Sequence, residues 1–293
     1  MFSSLARAAG ITILVALAGV AIFLTLEGAP ALTAPPAAME GDSSIAVYVW
    51  PLLYGTLLAA LLAMLIATPL AIGVALVISH FAPRRIAKSL GYVIDLLAAV
   101  PSIVYGLWGA LILVPHMNGL FGWLDTYLGW TGIFSWEGGA PRSMLTVGIL
   151  LAIMILPIIT NVSREVFRQV PQMHEEAALA LGATRWEVIR MAVIPFGRSG
   201  VISASMLGLG RALGETMAVA TVLSPDFLIH TSLLDPGGGT FAQNIASKFS
   251  EATEFGRDAL IASGLVLFVI TLLVNGAARA IIARRKEYSG ANA

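Results

Sequence analysis

Six continuous apolar runs, each near the roughly 20 residues a helix needs to cross a bilayer, dominate this sequence, near 8–27, 51–79, 91–114, 144–163, 199–223 and 259–282. With 58% of residues hydrophobic and 12% charged, the chain has too little polar surface to bury them all in a soluble core. In hydrocarbon, every backbone N–H and C=O needs a protein partner, which restricts spanning structures to helices and closed barrels. The runs lack the alternation of barrel strands. They predict an all-α integral membrane protein with six transmembrane helices.

Lys+Arg and Asp+Glu both total 17, so net charge carries no information and distribution carries it instead. One side of the predicted spans holds thirteen cations: Arg7, Arg84, Arg85, Lys88, Arg164, Arg168, Arg185, Arg190, Arg198, Arg279, Arg284, Arg285 and Lys286. The other side holds three, Arg142, Lys248 and Arg257. By the positive-inside rule both termini lie in the cytoplasm. The first run also has signal-peptide features, with Arg7 before it and Ala29-x-Ala31 after it.

The seventeenth cation, Arg211, lies inside the fifth run with Glu215 four residues on, in GLGRALGETMAV, 208–219. A continuous helix would put Arg211 near the bilayer midplane and both side chains on one face, within reach of each other. An arginine at that depth costs roughly 2.5–3.5 kcal/mol on insertion scales and faces a cavity or a partner. Arg211 and Glu215 are therefore candidate substrate-path residues, against the simpler reading of a neutral pair stapling helices together. Glycines 208, 210 and 214 are not spaced as G-x-G-x-x-G and follow no strand. Together with Ser203, Ala204, Ser205 and Ala212, Gly208 instead offers a small-residue contact face. Pro69, Pro101 and Pro157 predict interruptions in their spans. Asp95 either reaches the headgroups or pairs with a nearby arginine.

Segment 28–47, rich in Pro, Ala and Gly, reads as an exposed loop. Segments 115–143 and 224–257 also read as loops, with Trp123, Trp130 and Trp136 suited to a membrane interface. Segment 164–198 is the long loop on the basic side. Within it, the stretch 171–195 favours a helix through Glu175 to Leu181, closed by Gly182, and Thr184 to Glu187 has capping-box spacing that starts a second short helix. Such a knob either connects two spans or docks on a partner.

Chemistry is scarce. With no cysteine there is no disulfide, thiolate metal site or cysteine nucleophile. The four histidines are far apart, and His174-Glu175 lacks the second histidine of H-E-x-x-H. None of the three lysines follows a glycine, so there is no GxxxxGK[ST] phosphate loop. Any ATP-driven work has to draw on another chain. An ion-gradient transporter, a non-transporting scaffold and a membrane-embedded hydrolase are the rivals. The first would use intramembrane carboxylates as proton carriers, which one Arg-Glu pair without an internal repeat does not favour.

EAALALG, 176–182, followed nine residues later by AVIP, 192–195, resembles the EAA signature of ABC-importer permeases, EAA-x3-G-x9-I-x-L-P. Glu176, Ala177, Ala178, Gly182 and Pro195 match, while Ala192 and Ile194 replace the usual Ile and Leu. LLAAVPSIVYGLWG, 96–109, and RALGETMAV, 211–219, resemble the phosphate-importer subfamily of these permeases, over roughly 50–282. The resemblance implies a type I ABC-importer permease fold whose 164–198 loop carries the helices that seat in the ATPase subunit. It also implies a sister permease, a dimer of ATPase subunits that binds ATP and Mg, and an external phosphate-binding protein. It favours a retained first helix, with residues 1–50 as first helix and external loop, 51–285 as transmembrane domain and 286–293 as cytoplasmic tail.

Overall fold

The computed structural model describes residues 2–33 and 44–286; residues 34–43 of the predicted Pro/Ala-rich loop and residues 287–293 of the predicted tail lie outside the described residues. Among the described residues, six helices are long and apolar enough to cross a membrane: Ser4–Leu32, Ile45–Phe81, Ser102–Thr131, Met144–Arg168, Arg185–Leu213 and Glu254–Ala280. The described residues contain no β-strand, only one isolated bridge between Ser143 and Pro236.

Helix α1 (Phe2–Thr33) packs along the last helix, α12 (Glu254–Lys286), where a side chain on Gly28 would meet the backbone of Ala262 at 3.0 Å. The centre of the bundle is α6 (Met144–Arg168), the most buried of the six spans. Its principal neighbour is α2 (Ile45–Leu76). Ala59, Ala63, Ala67 and Ala71 fall on one face of α2 because their spacing is four. All are buried, against Val147, Leu150, Leu151, Met154, Ile155 and Ile159. Small side chains allow close backbone approach where lipid supplies no hydrophobic drive between helices. The Thr160 hydroxyl adds a bond to the Ala71 carbonyl at 3.5 Å.

The third span differs from expectation. The run 91–114 is divided: α3 (Arg84–Ala98) stops at Ala99, and a new rod begins at α4 (Ser102–Trp108) and runs through a π-helical turn, Gly109–Leu113, into α5 (Val114–Leu128). Pro101 caps the start of α4, having no N–H to extend the preceding helix. α3 carries Arg84, Arg85, Lys88 and Asp95 and is strongly two-faced, so it is not a spanning helix. Much of the expected 115–143 loop is consequently helix. Pro69 and Pro157, by contrast, sit inside continuous helices, each at the loss of one backbone bond.

The fifth span is displaced toward the N-terminus. α8 (Arg185–Val188), a π-helical turn (Ile189–Val193) and α9 (Ile194–Leu213) form one continuous rod. The predicted Thr184 capping box is present: the Glu187 N–H donates to the Thr184 hydroxyl at 3.3 Å and the Thr184 N–H to Oε2 of Glu187 at 2.7 Å. It therefore starts a spanning helix rather than a second short helix of a knob. The true connection is 169–184, with α7 (Gln172–Ala180) inside it and Gly182 beyond its end at φ +86°, a left-handed conformation that suits glycine. Helix α11 (Phe241–Lys248) likewise occupies part of the expected 224–257 loop.

Candidate functional site

α9 ends at Leu213, and after Gly214–Thr216 the chain restarts as α10 (Met217–Val222). This break removes the register that would have joined Arg211 to Glu215. Glu215 is 7% exposed, and its Oε1 accepts the Ala218 N–H at 3.2 Å, satisfying a donor at the start of α10. Gly214 favours the break, since glycine is a poor helix residue. The expected intrahelical pair is therefore not formed, although Glu215 keeps its burial.

Arg211 faces outward from the chain. One turn earlier, Gly208 packs on Ile159 and Ile155, midway along α6. Arg211 itself stands in the last turn of α9, two residues before the span ends at Leu213. No carboxylate pairs with Arg211 among the described residues. Arg211 lines a groove of about 1230 Å³ between α1, α9 and α12, where Ser203, Thr271, Asn275 and Arg279 are the other polar side chains and no acidic residue takes part. Tyr105 of α4 lies within its electrostatic reach and donates its hydroxyl proton to the Leu97 carbonyl at 2.9 Å. α10 packs on α4 through Gly106, where a side chain would strike Thr221 and Ala218. Of the expected small-residue face, Ala204, Gly208 and Ala212 are buried, and Ser203 is exposed.

At the basic end of the bundle, α7 presents Glu176 and Ala177 to the outside, with Ala178 half-buried and Gly182 exposed. Met173, Leu179 and Leu181 stand out from the same segment, joined by Trp186 and Met191 at the start of the next rod. Pro195 is exposed on that rod. An apolar, outward surface on a short rigid helix is what a docking element needs. α7 is held to the bundle by His80, whose Nε2 lies 3.4 Å from Oε1 of Glu175. Asp95 pairs with Arg164 at 3.5 Å, which decides between the two roles left open for it. Neither pairing has a sequence signal, because each joins segments far apart in the chain. On the opposite end, His230 bridges Asp226 at 2.8 Å and Asp235 at 3.8 Å, closing the loop around the PGGG turn.

A helix broken after Leu213, a short exposed helix between the fourth and fifth spans and a bundle centred on the fourth describe a membrane protein with six candidate spans among the described residues. Residues 67–287 match the family described as "Binding-protein-dependent transport system inner membrane component", and the chain belongs to that family. It is 48% identical to the phosphate transport system permease protein PstC 2 of Mycobacterium tuberculosis, over 96% of this chain and 90% of that protein. It is 46% identical to PstC of Mycobacterium leprae, over 89% and 86% respectively. Among solved structures, the inward-facing MetNI methionine ABC transporter superposes with a TM-score of 0.55 at 18% identity, over 80% of this chain and 93% of that one. A bacterial importer of alginate superposes at 0.51 with 15% identity, over 80% and 79%. These two likenesses establish a shared fold.

Proposed function

We propose that this chain is a permease subunit of an ATP-driven importer of inorganic phosphate. The relatives named PstC support the cargo and the subunit type over the sister PstA type. A PstA-like permease would complete the path, a dimer of PstB-like subunits would bind ATP and Mg beneath α7, and a PstS-like protein would deliver phosphate from outside. Both termini would face the cytoplasm, as the cation distribution favours.

The observation that carries the reading is a guanidinium in the last turn of a candidate span with no carboxylate partner among the described residues. Arg211 has no internal counter-charge and borders a groove without acidic side chains. A phosphate oxyanion meets a guanidinium through two parallel N–H···O bonds, which suits a transient contact in a path. Glu215, turned into the α10 restart, leaves Arg211 free for the anion and keeps the helix break rigid. Two cations on an open groove, Arg211 and Arg279, allow release, whereas a closed cage of donors would trap the cargo. Movement of the ATPase subunits would reach the bundle through α7 and the His80–Glu175 contact.

The test is phosphate uptake into proteoliposomes holding the whole complex, with Arg211→Ala compared with the wild type after matched assembly and ATPase activity. Uptake should require ATP, survive ionophores that collapse ion gradients and fall by about tenfold or more in the variant. Undiminished uptake in Arg211→Ala would remove Arg211 from the path, and loss of wild-type uptake on ionophore treatment would point to gradient-driven transport.

A further inference from the structure

The bundle has a second, distinct concentration of unspent positive charge. A cleft of about 310 Å³ opens between α3 and the last turns of α6, beside the π-helical turn Val77–Phe81 that ends the second span. Arg84, Lys88, Arg164 and Arg168 line it, and Asp95 is the one carboxylate there. Arg84 and Arg168 have no ion-pair partner among the described residues, and Lys88 contacts only the face of Tyr92, 5.9 Å from the ring centroid.

Arg164 shows that the cleft is built rather than incidental. It is 8% exposed, unusual for an arginine. Gly91 leaves room for its Nη1, since a side chain there would collide with it. Its Nη2 donates to Asn161 at 2.7 Å and lies 3.5 Å from Asp95, longer than a charge-assisted bond of about 2.7–2.9 Å. Its Nε is buried with no partner. A buried donor of a charged group left unmade costs about 1–3 kcal/mol, so such a donor calls for an acceptor. The helix itself adds to the imbalance: Arg84 and Arg85 stand in the first turn of α3, at the positive end of its dipole, with no side-chain cap. Helix stability alone would place carboxylates there.

We infer that this cleft binds a phosphate group, held by Arg84, Lys88 and Arg168 at the rim with Arg164 Nε beneath. A tetrahedral oxyanion suits the arrangement: it neutralises several cations at once, and its size is within the volume of the cleft. A phospholipid headgroup and free inorganic phosphate both present that chemistry. The site stands apart from Arg211, on different elements and at the end of the bundle that carries α7.

The experiment reads binding rather than transport, so it stands independently of the importer reading. The full chain, purified in the complex in which it is expressed and carrying Arg211→Gln to silence the groove, is the parent. Arg84→Gln/Arg168→Gln in that background is the variant. Equilibrium binding of radiolabelled inorganic phosphate is measured in phosphatidylcholine nanodiscs, and retention of phosphatidylglycerol over phosphatidylcholine is measured by native mass spectrometry. Binding of at least one probe should weaken about tenfold in the variant. Loss of the phosphate signal assigns the site to the free anion, and loss of phosphatidylglycerol retention assigns it to lipid. Equal behaviour of parent and variant toward both probes overturns the inference. If the double variant melts earlier than its parent, Lys88→Gln, a change on an exposed side chain, is read in its place against the same two outcomes.

Discussion

Nε2 of His80 lies 3.4 Å from Oε1 of Glu175, joining the last turn of the second span to α7. Both side chains are partly exposed, so the pair is worth no more than about 1 kcal/mol and contributes little to stability. Its value lies in transmission, since it ties α7 to the rod that packs on α6. Glu175→Gln should leave the melting temperature of the complex nearly unchanged while lowering the amount of phosphate moved per ATP hydrolysed severalfold. Parallel ATPase and uptake assays check this; an unchanged ratio would remove the contact from coupling.

At Arg211 the shape of the guanidinium should matter as well as its charge. Arg211→Lys keeps a cation but loses the planar fork. Uptake should fall between that of the wild type and that of Arg211→Ala, with tolerance for the spacing of anion oxygens altered more than maximal rate. Competition by arsenate and sulfate during uptake measures that selectivity.

Glu215 serves as an acceptor for the Ala218 N–H. Glu215→Gln keeps an oxygen in place, whereas Glu215→Ala leaves the start of α10 uncapped, at a cost of about 1 kcal/mol by analogy with helix N-caps. Thermal melting should thus separate Ala from Gln. Should Gln melt normally yet abolish uptake, the negative charge of Glu215 takes part in gating.

The alanine face of α2 makes the most extensive helix–helix contact in the bundle. Ala67 has no exposed surface and lies in the cluster shared with α6. Ala67→Leu forces extra methylenes into that seam, with an expected destabilisation of about 1–3 kcal/mol. A lower melting temperature and reduced assembly should follow, while Leu61→Ala, on an exposed position of the same helix, should change either very little.

Six spans, the Thr184 capping box and a helix before Gly182 were legible in the sequence, although the box was read as opening a second short helix of the loop and not the fifth span. Each rests on local physics: apolar length, a capping box and a glycine after a helix. The boundaries of the third and fifth spans were not legible. Pro101 marked the interruption of the run 91–114, though not that the part before it leaves the membrane-spanning set, whereas apolarity is the same on either side of Gly214, so the run 199–223 concealed the stop there. The alanine spacing of α2 could have been read, because a period of four on one face is visible without coordinates.

The sequence by itself therefore determined the class of molecule, the number of its spans and the charged residues that fall within or beside them. Only the tertiary structure decided what those charges meet. Arg211 and Glu215 are neighbours in a continuous helix and strangers across a broken one, since three non-helical residues are enough to turn a side chain away. Arg164 meets Asp95, and His80 meets Glu175, because packing brings together segments that no local rule connects. Charge partners are a property of the assembled bundle, where distance falls off steeply and desolvation decides which contacts count.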